Sequence, residues 1–148
     1  MPRFALSSCF RTFMSSLIRF TWALPNTVIG LVFVPFVVVT RGHLQVVDGV
    51  LELHGWLPSW VLRHCVFLPG GAAAMTLGHV VLGRDRIALM ATRRHERVHV
   101  RQCERWGPAF IPAYLVAGLW AVIRRRGAYR GNYFERQAIE HETRAERL

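Results

Sequence analysis

The segment H-E-R-V-H at residues 95–99 places two histidines four positions apart, with a glutamate directly after the first. The surrounding sequence predicts a helix from about Ile87 to Trp106, because apolar residues recur at helical spacing and Gly107-Pro108 follows as a stop signal. Residues four apart lie on one face of a helix, so both imidazoles can reach one metal ion. A fold that uses this pair must therefore bring a third ligand to it from elsewhere in the chain.

The residue types in this segment predict a catalytic zinc site. Imidazole nitrogens bind Zn²⁺ at about 2.0 to 2.1 Å, and two of them at this spacing suit that ion. Glu96 is turned by about 100° from His95 on the helix, which places its carboxylate beside the ion, where it can take a proton from bound water. We therefore predict His95 and His99 as ligands of Zn²⁺ and Glu96 as the catalytic general base.

The third ligand has candidates in two places. Cys103 continues the four-residue spacing, but each such step drifts by about 40° around the helix and about 6 Å along it, which disfavours three convergent ligands. The segment at residues 131–142 predicts a final helix that begins after Gly131-Asn132. It offers four metal-binding side chains, which are Glu135, Glu140, His141 and Glu142. We favour a ligand from this second segment over Cys103.

An apolar segment, residues 109–123, separates these two helices. It is short for a membrane span, and a crossing there would leave Glu135 on the opposite side of the membrane from the histidines. We predict instead a core helix that returns the chain antiparallel to the first helix.

The alternating pattern of residues 43–54 predicts a β-hairpin with Asp48-Gly49 at its turn. With Val47 opposite Val50, one face is apolar and is expected on the core, formed by Leu44, Val46, Leu51 and Leu53. The other face pairs polar side chains, Gln45 with Glu52 and His43 with His54. A second metal site at His43, Glu52 and His54 is one interpretation, and a solvent-facing polar surface is the simpler one. One further strand is predicted at residues 75–83, after a loop at Gly70-Gly71.

The N-terminal part of the chain predicts a basic amphipathic helix around residues 10–19, followed by eighteen residues without a charge, residues 22–39. That run is just long enough to cross a bilayer. Pro25 suits a helix start, whereas Pro35 would kink a helix, and the β-branched residues 37–39 also fit a buried strand. A span is one interpretation and an apolar hairpin packed on the domain is the other. We divide the chain into an anchor-like segment, residues 1–41, and a metal-binding domain, residues 42–148.

The charge pattern disfavours a nucleic-acid partner. All 19 basic residues are arginines, against 9 acidic residues, and they are scattered along the chain rather than grouped into a recognised binding motif. The 3 cysteines are far apart and predict neither a disulfide framework nor a cysteine zinc site. Three arginines precede the apolar run and Arg41 follows it, which favours a cytoplasmic N-terminus and an exported domain.

H-E-R-V-H followed by F-E-R-Q-A at residues 134–138 resembles the gluzincin arrangement of membrane metallopeptidases of the prenyl-protein endopeptidase and heat-shock membrane protease type. The resemblance implies Glu135 as the third zinc ligand. Residues 75–142 as a whole are similar to small uncharacterised bacterial proteins with a minimal zincin core. Those membrane peptidases carry Asp after the matching alanine, where this chain has Ile139, and this departure concerns the support of the ligands rather than the metal.

These observations together predict an α+β, zincin-like core: a short antiparallel sheet, the H-E-x-x-H helix and two further C-terminal helices, preceded by an apolar N-terminal helical segment. The resemblance implies a zinc-dependent metallopeptidase in which Glu96 assists the attack of zinc-bound water on a peptide bond. Its expected location is the bacterial inner membrane, through a single N-terminal anchor. Several further residues receive expected roles: ligand support from Gln102 and Asn132, substrate pairing along Thr76, Gly78, His79 and Val80, and oxyanion contacts from His79, Tyr129 and Tyr133.

Two other functions stay open at this point. One is a membrane-anchored zinc-binding or interaction protein that keeps the zincin core without turnover, with the metal holding the C-terminal helices together. The other is a basic protein of the membrane surface, or of nucleic acid, in which the H-E-R-V-H segment is accidental. Bound zinc separates the first two functions from the third, and loss of hydrolysis on replacing Glu96 separates the peptidase from the non-catalytic protein.

Overall fold

In the computed structural model, which describes residues 4–66, 68 and 70–147, helices cover both faces of one four-stranded sheet. The helices are α1 (Phe4–Leu31), α2 (Phe33–Val39), α3 (Trp56–His64), α4 (Arg86–Trp106), α5 (Phe110–Ile123) and α6 (Tyr133–Glu146). The strands are β1 (His43–Val47), β2 (Val50–His54), β3 (Ala74–Leu77) and β4 (Val80–Gly83). The predicted α+β class is confirmed, with the H-E-x-x-H segment on α4 and two helices after it.

The sheet has the strand order β1-β2-β4-β3. Both hairpins, β1–β2 and β3–β4, are antiparallel, and the first has the predicted register, with Val47 opposite Val50. The central pair β2–β4 is parallel, so the sheet is mixed rather than purely antiparallel. The reason is the connection after β2, because α3 crosses over one face of the sheet before the second hairpin begins.

The single strand predicted at residues 75–83 is wrong, because the chain reverses at Gly78-His79 to form β3 and β4. Gly78 has a φ of 65°, in the left-handed region that a tight turn requires and that glycine adopts without steric cost. Thr76 and Val80 therefore lie on different strands. Of these two strands, β3 is at an edge of the sheet, whereas β4 is paired on both sides.

Alternate residues of the strands pack into two cores, one on each face of the sheet. On one face, Leu53 contacts side chains of α2 and α3, including Val37 and Leu62. On the other face, Val50 and Val81 pack against α4. The predicted apolar face is thus only half covered, because Leu44 and Val46 on the edge strand β1 are exposed.

The predicted solvent-facing polar surface is wrong for Glu52, whose side chain is 1% exposed. It lies under α4, where Arg93 donates two hydrogen bonds of 2.8 Å to its carboxylate and Arg97 donates one of 3.2 Å. His43 and His54 stack on each other at the outer end of the hairpin, and neither contributes to a metal-binding cluster within the described residues.

The described part of the N-terminal segment forms two helices, α1 and α2. Pro25 lies inside α1 rather than at a helix start, and residues 37–39 belong to α2, so the alternative of a buried strand is wrong. A turn at Val32, close to Pro35, separates the two helices. The apolar face of the predicted amphipathic helix is formed by Phe10, Phe13, Met14, Leu17 and Ile18. The side chains of Phe10 and Phe13 lie outside the described part of the structure, and the other three are exposed.

The face of α1 that contacts the rest of the protein is formed by small and polar residues, namely Ala23, Asn26, Thr27 and Gly30. The opposite face carries exposed large apolar side chains, which include Leu17, Ile18, Leu24, Val28 and Ile29. Phe20 and Trp22 are also partly exposed, but they lie at the borders of the contact face, where Phe20 stacks on His79 and Trp22 packs on Gly107. Two helical stretches of the described chain, Leu17–Val39 and Arg86–Ile123, are long and apolar enough to cross a membrane. Core helices of soluble proteins can have the same length and composition, but in these two stretches only 28% and 17% of the apolar window is buried.

α5 differs from the predicted core helix, because only Phe110 and Ala121 are buried within it. The helix still returns the chain, as predicted, so that α6 packs against α4. α6 begins at the predicted place, with Asn132 as its N-cap and the amide of Phe134 donating to the Asn132 side chain at 3.0 Å.

Candidate metal centre

Two helices bring His95, His99 and Glu135 together. The two histidines project from one face of α4, and Glu135 comes from the first turn of α6. The Nε2 atoms of the histidines are 3.1 Å apart, and the Glu135 carboxylate lies 3.1 Å from His95 Nε2 and 3.3 Å from His99 Nε2. All three side chains are buried. The described residues contain one group of three or more histidine, cysteine, aspartate or glutamate side chains that could hold a metal ion, and it is this one.

The spacing of these atoms fits a tetrahedral ion. Around a zinc ion with ligand distances of about 2.0 to 2.1 Å, neighbouring corners of the tetrahedron lie about 3.3 Å apart. The two Nε2 atoms are 3.1 Å apart, and they lie 3.1 and 3.3 Å from different oxygens of the Glu135 carboxylate, Oε2 for His95 and Oε1 for His99, so each of these distances is close to that value. Two imidazoles and one carboxylate are also the donor types of a catalytic zinc site, in which a fourth position stays open.

The electrostatics of the cluster favour a cation. Burial works against ionisation of Glu135, but hydrogen bonds to His95 and His99 outweigh burial and hold its pKa well below the ordinary value. Burial likewise disfavours the charged form of each histidine, and the carboxylate overcomes it, so that the pKa of both histidines is raised. The carboxylate therefore favours positive charge at the two rings, and a divalent cation would supply positive charge at the same place.

Glu96 lies beside the cluster, and its carboxylate is buried in the contact between α4 and β3. Burial raises the pKa of Glu96, while the nearby His99 and His95 lower it by a smaller amount. The hydroxyl of Thr76 donates a hydrogen bond of 2.6 Å to Glu96 Oε2. β3 thus fixes the side-chain conformation of the predicted general base through one short hydrogen bond.

Gln102 and Asn132 both support the cluster, in different ways. His99 Nδ1 lies 2.8 Å from Gln102 Oε1, an arrangement that assigns the proton to Nδ1 and leaves Nε2 free to bind metal. Gln102 also donates to the carbonyl oxygen of Phe134, the residue before Glu135. Asn132 contacts no ligand, but its amide group caps α6 and donates to the carbonyl oxygen of Tyr114 at 3.1 Å.

Tyr114 on α5 was not predicted from the sequence. Its hydroxyl donates a hydrogen bond of 2.5 Å to Glu135 Oε1, on the carboxylate that faces the histidines. The available signal was that Tyr114 is the one hydroxyl-bearing residue between positions 109 and 123. However, the rotation of a helix about its axis depends on tertiary packing, so the sequence did not predict that this hydroxyl contacts Glu135.

Tyr129 and Glu142 border the cluster on its more exposed side. The hydroxyl of Tyr129 lies 3.4 Å from His95 Nε2, and the side chain is half-buried. The carboxylate of Glu142 lies 3.6 Å from His95 Nδ1, and its side chain is 33% exposed. A molecule that reaches the cluster from this side would pass these two groups.

Other residues predicted for the site lie elsewhere. His79 stacks on Phe20 with ring centroids 3.9 Å apart, and it pairs with Glu104 at 3.2 Å instead of joining the metal ligands. Cys103 is fully buried in a separate hydrophobic cluster, and burial raises the pKa of its thiol to about 12. The exposed Tyr133 contacts Gln137.

Comparison of the chain with protein-family models, with curated proteins and with solved structures finds no match.

Proposed function

We propose that this protein is a membrane-associated, zinc-dependent peptidase. The observation that carries the proposal is the convergence of His95, His99 and Glu135, in which each Nε2 atom lies 3.1 to 3.3 Å from the other histidine or from an oxygen of the carboxylate, with the buried Glu96 beside them. Three ligands of these types and an adjacent carboxylate are what metal-assisted hydrolysis of an amide requires.

A zinc ion held by these three side chains would polarise the scissile carbonyl and lower the pKa of water at the site. Glu96 would accept a proton from the attacking water and pass it to the departing amine. The Thr76 hydroxyl already donates to Oε2 of Glu96, so Oε1 is the oxygen that would carry the proton. Gln102 would keep His99 in the tautomer whose Nε2 binds metal.

The substrate would be an extended peptide that pairs with the edge of the sheet. β3 is the edge strand next to α4, and backbone groups on such an edge can hydrogen-bond to an added strand. Of the residues predicted for this role, Thr76 lies on β3 itself. Val80 lies on the internal strand β4, and Gly78 and His79 form the turn, so the proposed pairing covers Ala74–Leu77.

The membrane part of the proposal rests on α1 and α2. The stretch Leu17–Val39 has a mean hydropathy of 2.0. On α1, the small and polar side chains of Ala23, Asn26 and Thr27 face the protein, whereas the apolar side chains of Leu24, Val28 and Ile29 face outward. This inverted pattern is typical of helices in lipid, where small residues form the helix contacts. We place the protein in a bacterial inner membrane through this segment, with the N-terminus in the cytoplasm.

The first experiment measures zinc per chain in purified full-length protein by elemental analysis, beside Glu135→Ala and Glu140→Ala. Both substitutions lie on α6, but Glu140 is exposed and belongs to no ligand group. We expect about one zinc per chain in the parent and in Glu140→Ala, and a sharp loss in Glu135→Ala. A parent without zinc, or with another metal such as iron, would contradict the proposal.

The second experiment separates the peptidase from a zinc-binding protein without turnover. Glu96→Gln should keep zinc and reduce hydrolysis of a peptide library by at least about 100-fold, because the general base is gone. Thr76→Val tests the hydrogen bond to Glu96 in the same assay and should lower turnover while zinc stays bound. Zinc-loaded parent that cleaves no peptide would support the non-catalytic alternative.

A further inference from the structure

α5 has one face that no described part of the protein covers. Its large side chains are between 51 and 67% exposed and all apolar, and they are Leu115, Val116, Leu119, Trp120, Val122 and Ile123. We call these six residues the outer face of α5. On the opposite side, Phe110, Tyr114 and Ala121 point into the protein. A helix that faces water normally carries polar residues on its outer side, and a contiguous apolar patch marks an interaction site.

The end of α5 indicates the chemistry of the partner. Arg124, Arg125 and Arg126 follow the helix directly, all three are exposed, and none is ion-paired to an acidic side chain within the described residues. The guanidinium of Arg124 lies over the ring of Trp120, 4.7 Å from its centroid. Tryptophan and arginine at the end of an apolar helix suit the headgroup region of a bilayer, where anionic lipids attract the basic groups.

The N-terminal end of α5 adjoins α1, which belongs to the segment proposed to lie in the membrane. Asn26 on α1 donates a hydrogen bond of 2.7 Å to the carbonyl oxygen of Gly107, three residues before α5 begins. Trp22 packs on the same glycine, since a Cβ atom at Gly107 would lie 2.5 Å from its ring. The two helices with outward apolar faces therefore meet at one point of the fold.

We propose that the outer face of α5 inserts into the interfacial region of an anionic lipid bilayer, as a second membrane contact beside α1. With 14 residues, α5 is about 21 Å long, which is too short for a hydrocarbon core of about 30 Å. Because α6 must also return to α4, the helix lies in the interface instead of crossing it. A second copy of this chain is a poorer partner, because each copy carries a net charge of +10.

The test uses Trp120 as the reporter in the full-length chain. Trp22, Trp56, Trp60 and Trp106 are replaced by Phe, and the protein is reconstituted into nanodiscs of phosphatidylcholine with phosphatidylglycerol, with and without bromine on the acyl chains. Emission of Trp120 should fall by about half or more with brominated lipid, because its ring lies at the boundary between headgroups and acyl chains. Acrylamide, a quencher in water, should have little effect.

A matched control carries the single tryptophan at Arg94, on the charged part of α4, as Arg94→Trp with Trp120 also replaced by Phe. Arg94 is exposed, and a tryptophan at this position should respond to acrylamide and not to bromine.

If the single-tryptophan chain does not fold, the parent and Trp120→Phe are compared instead. The part of the bromine quenching that is present in the parent and lost in Trp120→Phe then measures the same contact. Quenching of Trp120 by acrylamide alone would overturn the proposal. Energy transfer between labelled copies at the same site would overturn it in favour of self-association. Zinc is not needed for this measurement, so its outcome is independent of the peptidase proposal.

Discussion

The carboxylate of Glu135 is held from three sides. His95 and His99 face it from α4, and the hydroxyl of Tyr114 donates to it from α5 at 2.5 Å. Groups that hydrogen-bond to a metal ligand fix its orientation, and their loss weakens metal binding even though they never touch the ion. The position of this carboxylate therefore depends on a residue that is not itself a ligand.

The contribution of the Tyr114 hydroxyl can be measured by removing that group alone. Tyr114→Phe should weaken zinc binding by roughly 10- to 100-fold while the protein stays folded, because the ring still packs and only the hydrogen bond is lost. Competition with a fluorescent chelator measures the affinity. Tyr133→Phe is the control, since the Tyr133 hydroxyl contacts Gln137 at the surface and should not matter. Equal affinity of Tyr114→Phe and the parent would remove Tyr114 from the site.

At the scale of elements, the β3–β4 hairpin connects the N-terminal helices to the site. Its turn is pressed against α1, where the backbone amide of His79 donates to the hydroxyl of Thr27 at 3.0 Å. Its edge strand carries Thr76, which bonds to Glu96. Displacement of this turn should therefore shift the carboxylate of Glu96, the predicted general base.

Two glycines with similar backbone conformations test this contact. A Cβ atom at Gly78 would lie 2.4 Å from the backbone nitrogen of Thr27, whereas nothing lies within 4 Å of one at Gly49. Both residues have positive φ, 65° and 76°. Gly49→Ala should lower the free energy of unfolding by about 1 kcal/mol, because of the positive φ alone. Gly78→Ala should lower it by at least about 3 kcal/mol, because the backbone of Thr27 must also move to make room for the Cβ atom. Urea unfolding in detergent measures both, and equal losses would contradict the packing described here.

At the scale of the whole molecule, the N-terminal helices are part of the core. Val37 of α2 is fully buried with Leu53 and Leu62, and Ala23 of α1 is fully buried with Phe110 and Phe134. Removing these helices would uncover two separate hydrophobic clusters. An anchor that could be detached from a self-sufficient domain would not leave such surfaces behind.

We therefore expect residues 42–148 alone to lack cooperative unfolding and to bind zinc weakly, because both clusters lose their partners. A chain that begins at Leu17 keeps Ala23 and Val37, and it should retain both cooperative unfolding and zinc binding. Thermal unfolding followed by circular dichroism, together with zinc content, compares the two. A fragment 42–148 that unfolds cooperatively with bound zinc would establish the division at residue 41 that the sequence predicted.

Features that depend on neighbouring residues could be predicted from the sequence alone. The α4 bounds, predicted near Ile87 and Trp106 and found at Arg86–Trp106, follow from helical spacing and a glycine stop. The hairpin register follows from Asp48-Gly49, because a two-residue turn aligns the strands that it joins. The His95 and His99 pairing is likewise a property of one helix. Glu135 was reached through the family resemblance and the need for a returning chain.

Only the tertiary structure decided how the elements face one another. The burial of Glu52, the parallel pairing of β2 with β4, and the hydrogen bond from Tyr114 to Glu135 join residues far apart in the chain. Their geometry depends on how helices rotate and how sheets are crossed, which local periodicity does not encode. The outward apolar faces of α1 and α5 belong here too, because the same apolar sequence fits a buried core helix or a helix against lipid. Which of the two a helix becomes depends on whether the rest of the fold covers it.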